Sequence, residues 1–224
     1  MSVAARRFSH DEAGTPESSW VRAPEWTAIP DGDLLAEPVT RLVVVAAHPD
    51  DESLGAGGLL AVANASGLNV TIVVCTDGEA SHPNSATSST TELAAVRRAE
   101  AVSAAGETAP GARLVFLGLP DSDLANAGER VTEALVTAIG EDGAQTLLCA
   151  PWRRDGHPDH EAAGQAAAIA AQRFVVHDGW AIASHIALSM LTMVPIVYAI
   201  KELAVKGLGV TVLVLFLAGV GFGA

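Results

Sequence analysis

Residues 42–58 read LVVVAAHPDDESLGAGG, and the change of character at position 48 decides how the rest of the chain is read. The run from Leu42 to Ala47 is apolar and contains three consecutive valines, the composition of a strand buried on both faces. It stops abruptly at His-Pro-Asp-Asp-Glu and then enters a glycine-rich segment. Three carboxylates and an imidazole gain nothing from packing at the end of a buried strand. That junction is where a site is expected.

The same alternation continues downstream. SLGAGGLLAVANASG (53–67) predicts a helix closing at Gly67, and NVTIVVCT (69–76) a second strand. SSTTELAAVRRAEAVSAAG (88–106) predicts a helix with Ser89 and Glu92 at capping-box spacing and Gly106 as its stop. ARLVFLG (112–118) and AQTLLCA (144–150) read as strands; ERVTEALVTAI (129–139) and DHEAAGQAAAIAAQR (159–173) read as helices. The expected fold class is α/β: a Rossmann-like parallel sheet flanked by helices on both faces, with a hydrophobic C-terminal tail. In such sheets ligands gather where strands end and helices begin. The acids after the first strand and the histidines after the fourth both fall on that edge.

Composition narrows the function classes. The 224 residues carry a formal net charge of −13, which argues against a nucleic-acid partner, since that affinity rests on clustered Lys and Arg. Cys75 and Cys149 sit singly in apolar runs without CxxC spacing, so core packing in a reduced compartment is expected. The GAGG run (55–58) lacks GxGxxG spacing, and the acids before it would repel a pyrophosphate. Its glycines are read instead as letting the helix approach the sheet. Residues 1–39 form an extended lead-in with four prolines, and Trp20 and Trp26 are expected to pin it to the domain surface.

Two clusters carry the chemistry: His48, Asp50, Asp51 and Glu52, and then His157, Asp159, His160 and Glu161. Imidazole and carboxylate are what Zn²⁺ takes when no thiolate is offered, and a catalytic site needs three protein ligands plus water. His48 and Asp51 are one helical turn apart, and His160 closes the triad from the neighbouring strand end. Asp50 is left as a spare carboxylate, placed to take a proton from bound water. Either cluster alone also fits an acidic helix N-terminus or a loop turn. Both together, on one edge of one sheet, single them out.

With these residues in view, the chain resembles the PIG-L/LmbE family of zinc-dependent de-N-acetylases. The resemblance rests on AHPDDE (47–52) and HPDH (157–160), with TDGE (76–79), RRAE (97–100) and LGLPD (117–121) between them in the family's order. It spans residues 40–173, which places a deacetylase domain at 40–178. It implies metal-assisted hydrolysis of the acetamide of an N-acetylglucosamine-type sugar or glycoconjugate, with Zn²⁺ as cofactor. By this resemblance His48, Asp51 and His160 are the zinc ligands and Asp50 the general base. His157 stabilises the oxyanion or protonates the leaving amine, with Asp159 orienting it. Arg97 and Asp121 match positions that grip sugar hydroxyls; Glu100 supports Arg97, and Arg98 lies on a solvated helix face. Asp155 stands where mycothiol-pathway members carry tyrosine, which sets this chain apart from their specificity. Trp152, Arg153 and Arg154 fit either a substrate pocket or a loop anchor with a basic surface. Two other readings are a zinc-binding but inactive fragment and a membrane-attached module that binds a sugar-bearing lipid.

After Arg173 the resemblance stops. The runs 181–200 and 207–224 are almost uncharged, and each approaches the ~20 apolar residues that span a bilayer. The expectation for 179–224 is therefore a membrane-associated tail that anchors a cytoplasmic catalytic domain. Alternatives are core elements of the domain, a piece similar to a multi-spanning transporter through VPIVYAIKELA, and a foreign or frameshifted end.

Overall fold

The computed structural model describes residues 39–177, apart from 84, 141, 142, 144 and 155, together with 18, 19, 22 and 213–217. The expectations for Trp20, Trp26, Asp155 and the run 181–200 lie outside these residues.

The chain lays down β1 (Arg41–Ala46), α1 (Asp51–Ala65), β2 (Asn69–Thr76), α2 (Thr90–Thr108) and β3 (Arg113–Leu119). A short 3-10 turn (Leu124–Ala127) leads into α3 (Gly128–Ile139), followed by β4 (Thr146–Pro151), α4 (Pro158–His177) and β5 (Leu213–Leu217). The strands pair in parallel in the order β3-β2-β1-β4-β5. This is the expected α/β fold, with β1 at its centre.

Strand periodicity divides the core into two layers. Val43, Val45 and Ala47 face Val131, Leu135 and Ile139 of α3 and Ala163, Ala167 and Ala170 of α4. Leu42, Val44 and Ala46 face Ala56, Leu59, Leu60 and Ala63 of α1 and Ala105 of α2. A sheet covered on both faces requires uninterrupted apolar strands, which is what the sequence shows at β1, β2 and β4. Cys75 and Cys149 are buried free thiols, one in each layer.

Local signals behave as expected at several helix ends. Ser89 Oγ accepts from Glu92 N and the Glu92 carboxylate accepts from Ser89 N, a complete capping box on α2. Gly67, at φ 75°, follows the last turn of α1 and lets Leu68 N bond back to Ala63 O. The α2 helix, by contrast, runs through Gly106 to Thr108.

The GAGG reading needs correction at its last two glycines. A Cβ on Gly58 would meet nothing within 4 Å, and one on Gly57 would only touch Thr108 Cγ2 at 4.0 Å. The close approach is made elsewhere: a Cβ on Gly164 of α4 would run into Pro151 O at the end of β4. A glycine needed for packing and one merely tolerated in a helix look alike in sequence.

The membrane expectation finds no support among the described residues. Residues 213–217, inside the run 207–224, form a strand paired with β4 from Leu147↔Leu213 to Pro151↔Leu217. No helix among the described residues is long and apolar enough to cross a membrane. A uniformly apolar run satisfies a lipid-facing helix and a strand covered on both faces equally well, so composition alone did not separate them.

The strand order positions the site. From β1 the chain steps outward to β2 and β3, then returns to place β4 on the other side of β1. The loops leaving β1 and β4 therefore diverge, opening a crevice at the carboxyl edge of the sheet.

Candidate metal centre

The turn after β1 is built by its own carboxylates. Asp51 Oδ2 accepts from Ala47 N (2.8 Å) and His48 N (3.0 Å), leaving Oδ1 directed to His160 Nε2 at 3.4 Å. Asp50 sits at φ 137°, an expensive backbone for a residue with a Cβ. It is held there by Glu52 Oε2, which accepts from Asp50 N, and by Arg97 Nη2, which donates to Pro49 O (2.6 Å) and Asp50 Oδ2 (2.9 Å). Glu52 is 1% exposed and also accepts from Ser53 Oγ. It braces the turn.

The segment after β4 supplies the other half. Asp159 N donates to His157 Nδ1 at 3.2 Å, so His157 is oriented by the main chain of Asp159. The Asp159 carboxylate is 1% exposed and reaches across to the loop after β3. Oδ2 accepts from Ser122 N (2.7 Å) and lies 3.2 Å from His48 Nε2, while Oδ1 accepts from Leu124 N (3.0 Å). The rings of His48, His157 and His160 lie with centroids 4.7–5.3 Å apart.

Donor atoms of His48, Asp51 and His160 lie within 4.8 Å of one another, and so do those of His48, His157 and Asp159. Two imidazoles and a carboxylate without thiolate match the donor set of open three-ligand zinc sites. The first triad fits better. Both Asp159 oxygens already accept main-chain N–H groups, whereas Asp51 Oδ1 faces only His160.

The electrostatics follow from this crowding. Burial alone would lower His48, but hydrogen bonds to Asp121 and Asp159 and the Asp51 charge raise it to about 10. Burial tends to raise Asp121 and Asp159, yet the facing His48 and main-chain N–H groups hold both below the ordinary carboxylate value. Asp50 is raised by burial and the neighbouring Asp51 charge, against the pull of Arg97 and His48. An elevated carboxyl is a better proton acceptor near neutral pH than a free one.

The two residues matched to sugar contacts are engaged with the site itself. Arg97 also donates from Nη1 to Ser81 Oγ (3.1 Å); Glu100, expected to support it, is exposed. Asp121 Oδ2 accepts from Ala80 N (2.9 Å), and Oδ1 lies 3.3 Å from His48 Nε2. Its own N–H donates to Glu79 Oε1 (2.9 Å). Arg98, on a part-exposed helix face, is paired: its Nε donates to Asp77 Oδ1 (2.7 Å) and its guanidinium lies 5.0 Å from the Phe116 ring centroid. Trp152 is buried in the core with Arg153 over its ring, the loop-anchor arrangement.

Sequence reasoning assigned no role to Gly78, Glu79, Ser81 or Ser122. The TDGE motif holds the first two, and the structure explains its glycine. Gly78 has φ 65°, and a Cβ there would lie 2.6 Å from Arg97 Nε.

A parallel α/β sheet with an imidazole–carboxylate centre at its switch point defines the class. The family model for GlcNAc-PI de-N-acetylases (PIG-L) matches residues 43–171, and the chain belongs to that family. It is similar to the 1D-myo-inositol 2-acetamido-2-deoxy-alpha-D-glucopyranoside deacetylase of Mycobacterium sp. (strain KMS), at 35% identity over 156 residues, covering 58% of this chain and 49% of that protein. It is also similar to the diacetylchitobiose deacetylase of Thermococcus kodakarensis, at 31% identity over 128 residues, covering 56% and 47%. The N,N'-diacetylchitobiose deacetylase structure from Pyrococcus horikoshii shares the fold, with TM-score 0.54 and 24% identity over 72% of this chain and 60% of that one. The chain spans about half the length of the curated relatives it matches.

Proposed function

We propose that the chain is a zinc-dependent de-N-acetylase acting on an N-acetylglucosamine-type sugar or glycoconjugate. Residues 40–178 are its catalytic unit, 1–39 a lead-in and 179–224 a tail from which 213–217 joins the sheet of that unit. One observation carries the reading: His48, Asp51 and His160 converge within 4.8 Å while the neighbouring Asp50 keeps a raised carboxyl. The relatives named as deacetylases of acetamido sugars support it.

His48, Asp51 and His160 would hold the zinc, which supplies a Lewis acid and a water whose pKa is lowered to about 7. Asp50, fixed by Arg97, takes the proton of the attacking water. His157 accepts the Asp159 N–H at Nδ1, so its neutral form carries a proton on Nε2 and donates it to the oxygen that gains charge. Collapse returns the proton on Asp50 to the departing nitrogen and yields acetate and a free amine.

The test begins with zinc content of the purified chain beside Asp51→Ala, followed by acetate release from N-acetyl sugars. About one zinc per chain, lost in the variant, is expected. Asp50→Ala is expected to keep zinc and lose turnover; a fully active variant removes Asp50 from the mechanism. Well-folded protein that takes up no zinc overturns the reading. Stoichiometric zinc without acetate from any substrate would leave a metal-binding domain and no hydrolase.

A further inference from the structure

Building on that metal reading, we infer that Asp121 and Asp159 are paired positioning residues for His48. They hold its Nε2–H so that Nδ1 is the nitrogen turned to the metal.

The two nitrogens of the His48 ring face different partners. His48 Nδ1 looks toward Asp51, whose Oδ2 is 3.9 Å away and whose Oδ1 faces His160 Nε2. His48 Nε2 looks the other way, 3.3 Å from Asp121 Oδ1 and 3.2 Å from Asp159 Oδ2. These carboxylates have side chains only 6% and 1% exposed. Carboxylates are acceptors, so with no cation between them two can converge on an imidazole nitrogen only if it carries a proton. A neutral imidazole protonated at Nε2 has its lone pair at Nδ1, on the side shared with Asp51 and His160. Carboxylates that hold ligand histidines this way set the tautomer and ring orientation.

Neither carboxylate is free to turn away. Asp159 is pinned by Ser122 N and Leu124 N. Asp121 is pinned through Oδ2 by Ala80 N, and its own N–H is pinned by Glu79 Oε1. The loops after β2 and β3 are thus cross-braced against each other, and their joint product is a carboxylate aimed at the ligand carried by β1. Each Asp121 oxygen thus has a protein partner, Ala80 N at Oδ2 and His48 Nε2 at Oδ1. The same geometry decides against the second triad, because it uses Nε2 for a hydrogen bond.

The proposal is tested on the full chain by zinc competition against a chromogenic chelator, for wild type, Asp121→Asn, Asp121→Ala and Asp159→Asn. Long-range ¹H–¹⁵N correlation on zinc-loaded wild type reads the His48 tautomer directly and needs no variant to fold; His48→Gln assigns the signal. The expected result is a His48 proton on Nε2, with zinc affinity weakened about 10–100-fold in Asp121→Ala. Asp121→Asn, which keeps an acceptor oxygen, is expected to recover part of that loss. Unchanged zinc affinity in Asp121→Ala would overturn the inference, as would a His48 proton on Nδ1. Wild type that binds no zinc overturns the metal reading beneath it, a result distinguishable from both.

Discussion

Replacing Gly78 with alanine tests whether the loop after β2 is shaped around Arg97. Two costs add. The backbone is at φ 65°, where a residue with a Cβ is disfavoured by roughly 1–2 kcal/mol. The new methyl would also lie 2.6 Å from Arg97 Nε and 3.0 Å from its Cδ and Cζ. These atoms belong to a flexible side chain, but its far end is tied to Pro49 O, Asp50 Oδ2 and Ser81 Oγ. Displacing the guanidinium forfeits part of that set, at about 0.5–1.5 kcal/mol for each bond not remade. The sum is a loss of about 2–4 kcal/mol, read as a lower urea midpoint at unchanged slope. Turnover falls with it, because Asp50 loses the partner that fixes its carboxylate. The Arg97→Ala background separates the costs: there Gly78→Ala retains only the backbone part, about 1–2 kcal/mol. Wild-type stability in Gly78→Ala refutes the reasoning, and equal costs in the two backgrounds remove Arg97 from it.

Two other glycines predict opposite outcomes. Gly164→Ala puts a methyl against Pro151 O and forces α4 away from β4, costing about 1–3 kcal/mol; because α4 opens with Asp159 and His160, weaker zinc binding accompanies the lower unfolding midpoint. Gly58→Ala has open space in mid-helix and is expected to stabilise by about 0.5–1 kcal/mol in the same denaturation assay. In chelator-treated protein His48 is expected to titrate at about 10 against 6.5 for the free imidazole, burial lowering it and Asp121, Asp159 and Asp51 more than offsetting that. A folded value above the unfolded one means its stabilisation is fully present below pH 6.5 and is lost as pH rises to 10. Thermal melts of the treated protein should therefore decline across that window, and His48→Gln should flatten the decline. Zinc needs a neutral ligand and its bound water titrates at about 7, so binding at pH 8 is expected to release about two protons, one of them from His48, measured by calorimetry in buffers of different ionisation enthalpy; release of only about one would contradict the charge assigned to His48.

By itself the sequence determined the α/β alternation, the two-faced burial of β1, β2 and β4, the Ser89 cap and the His48–Glu52 and His157–His160 clusters. Each of these is written in neighbouring residues, as a period of two, a period of 3.6 or a short motif. The tertiary structure alone decided that Arg97 holds Asp50, that Asp121 and Asp159 share His48 Nε2, and that Asp159 orients His157 through its main chain. It also decided that 213–217 extends the sheet, and that Gly164, not Gly57 or Gly58, marks a close approach. These are relations between loops brought together by the strand order β3-β2-β1-β4, and the partner of a buried carboxylate depends on that order and on hydrogen-bond direction. Periodicity fixes which face a side chain takes within its own element. Which atom it then meets on another element is set only when the elements pack.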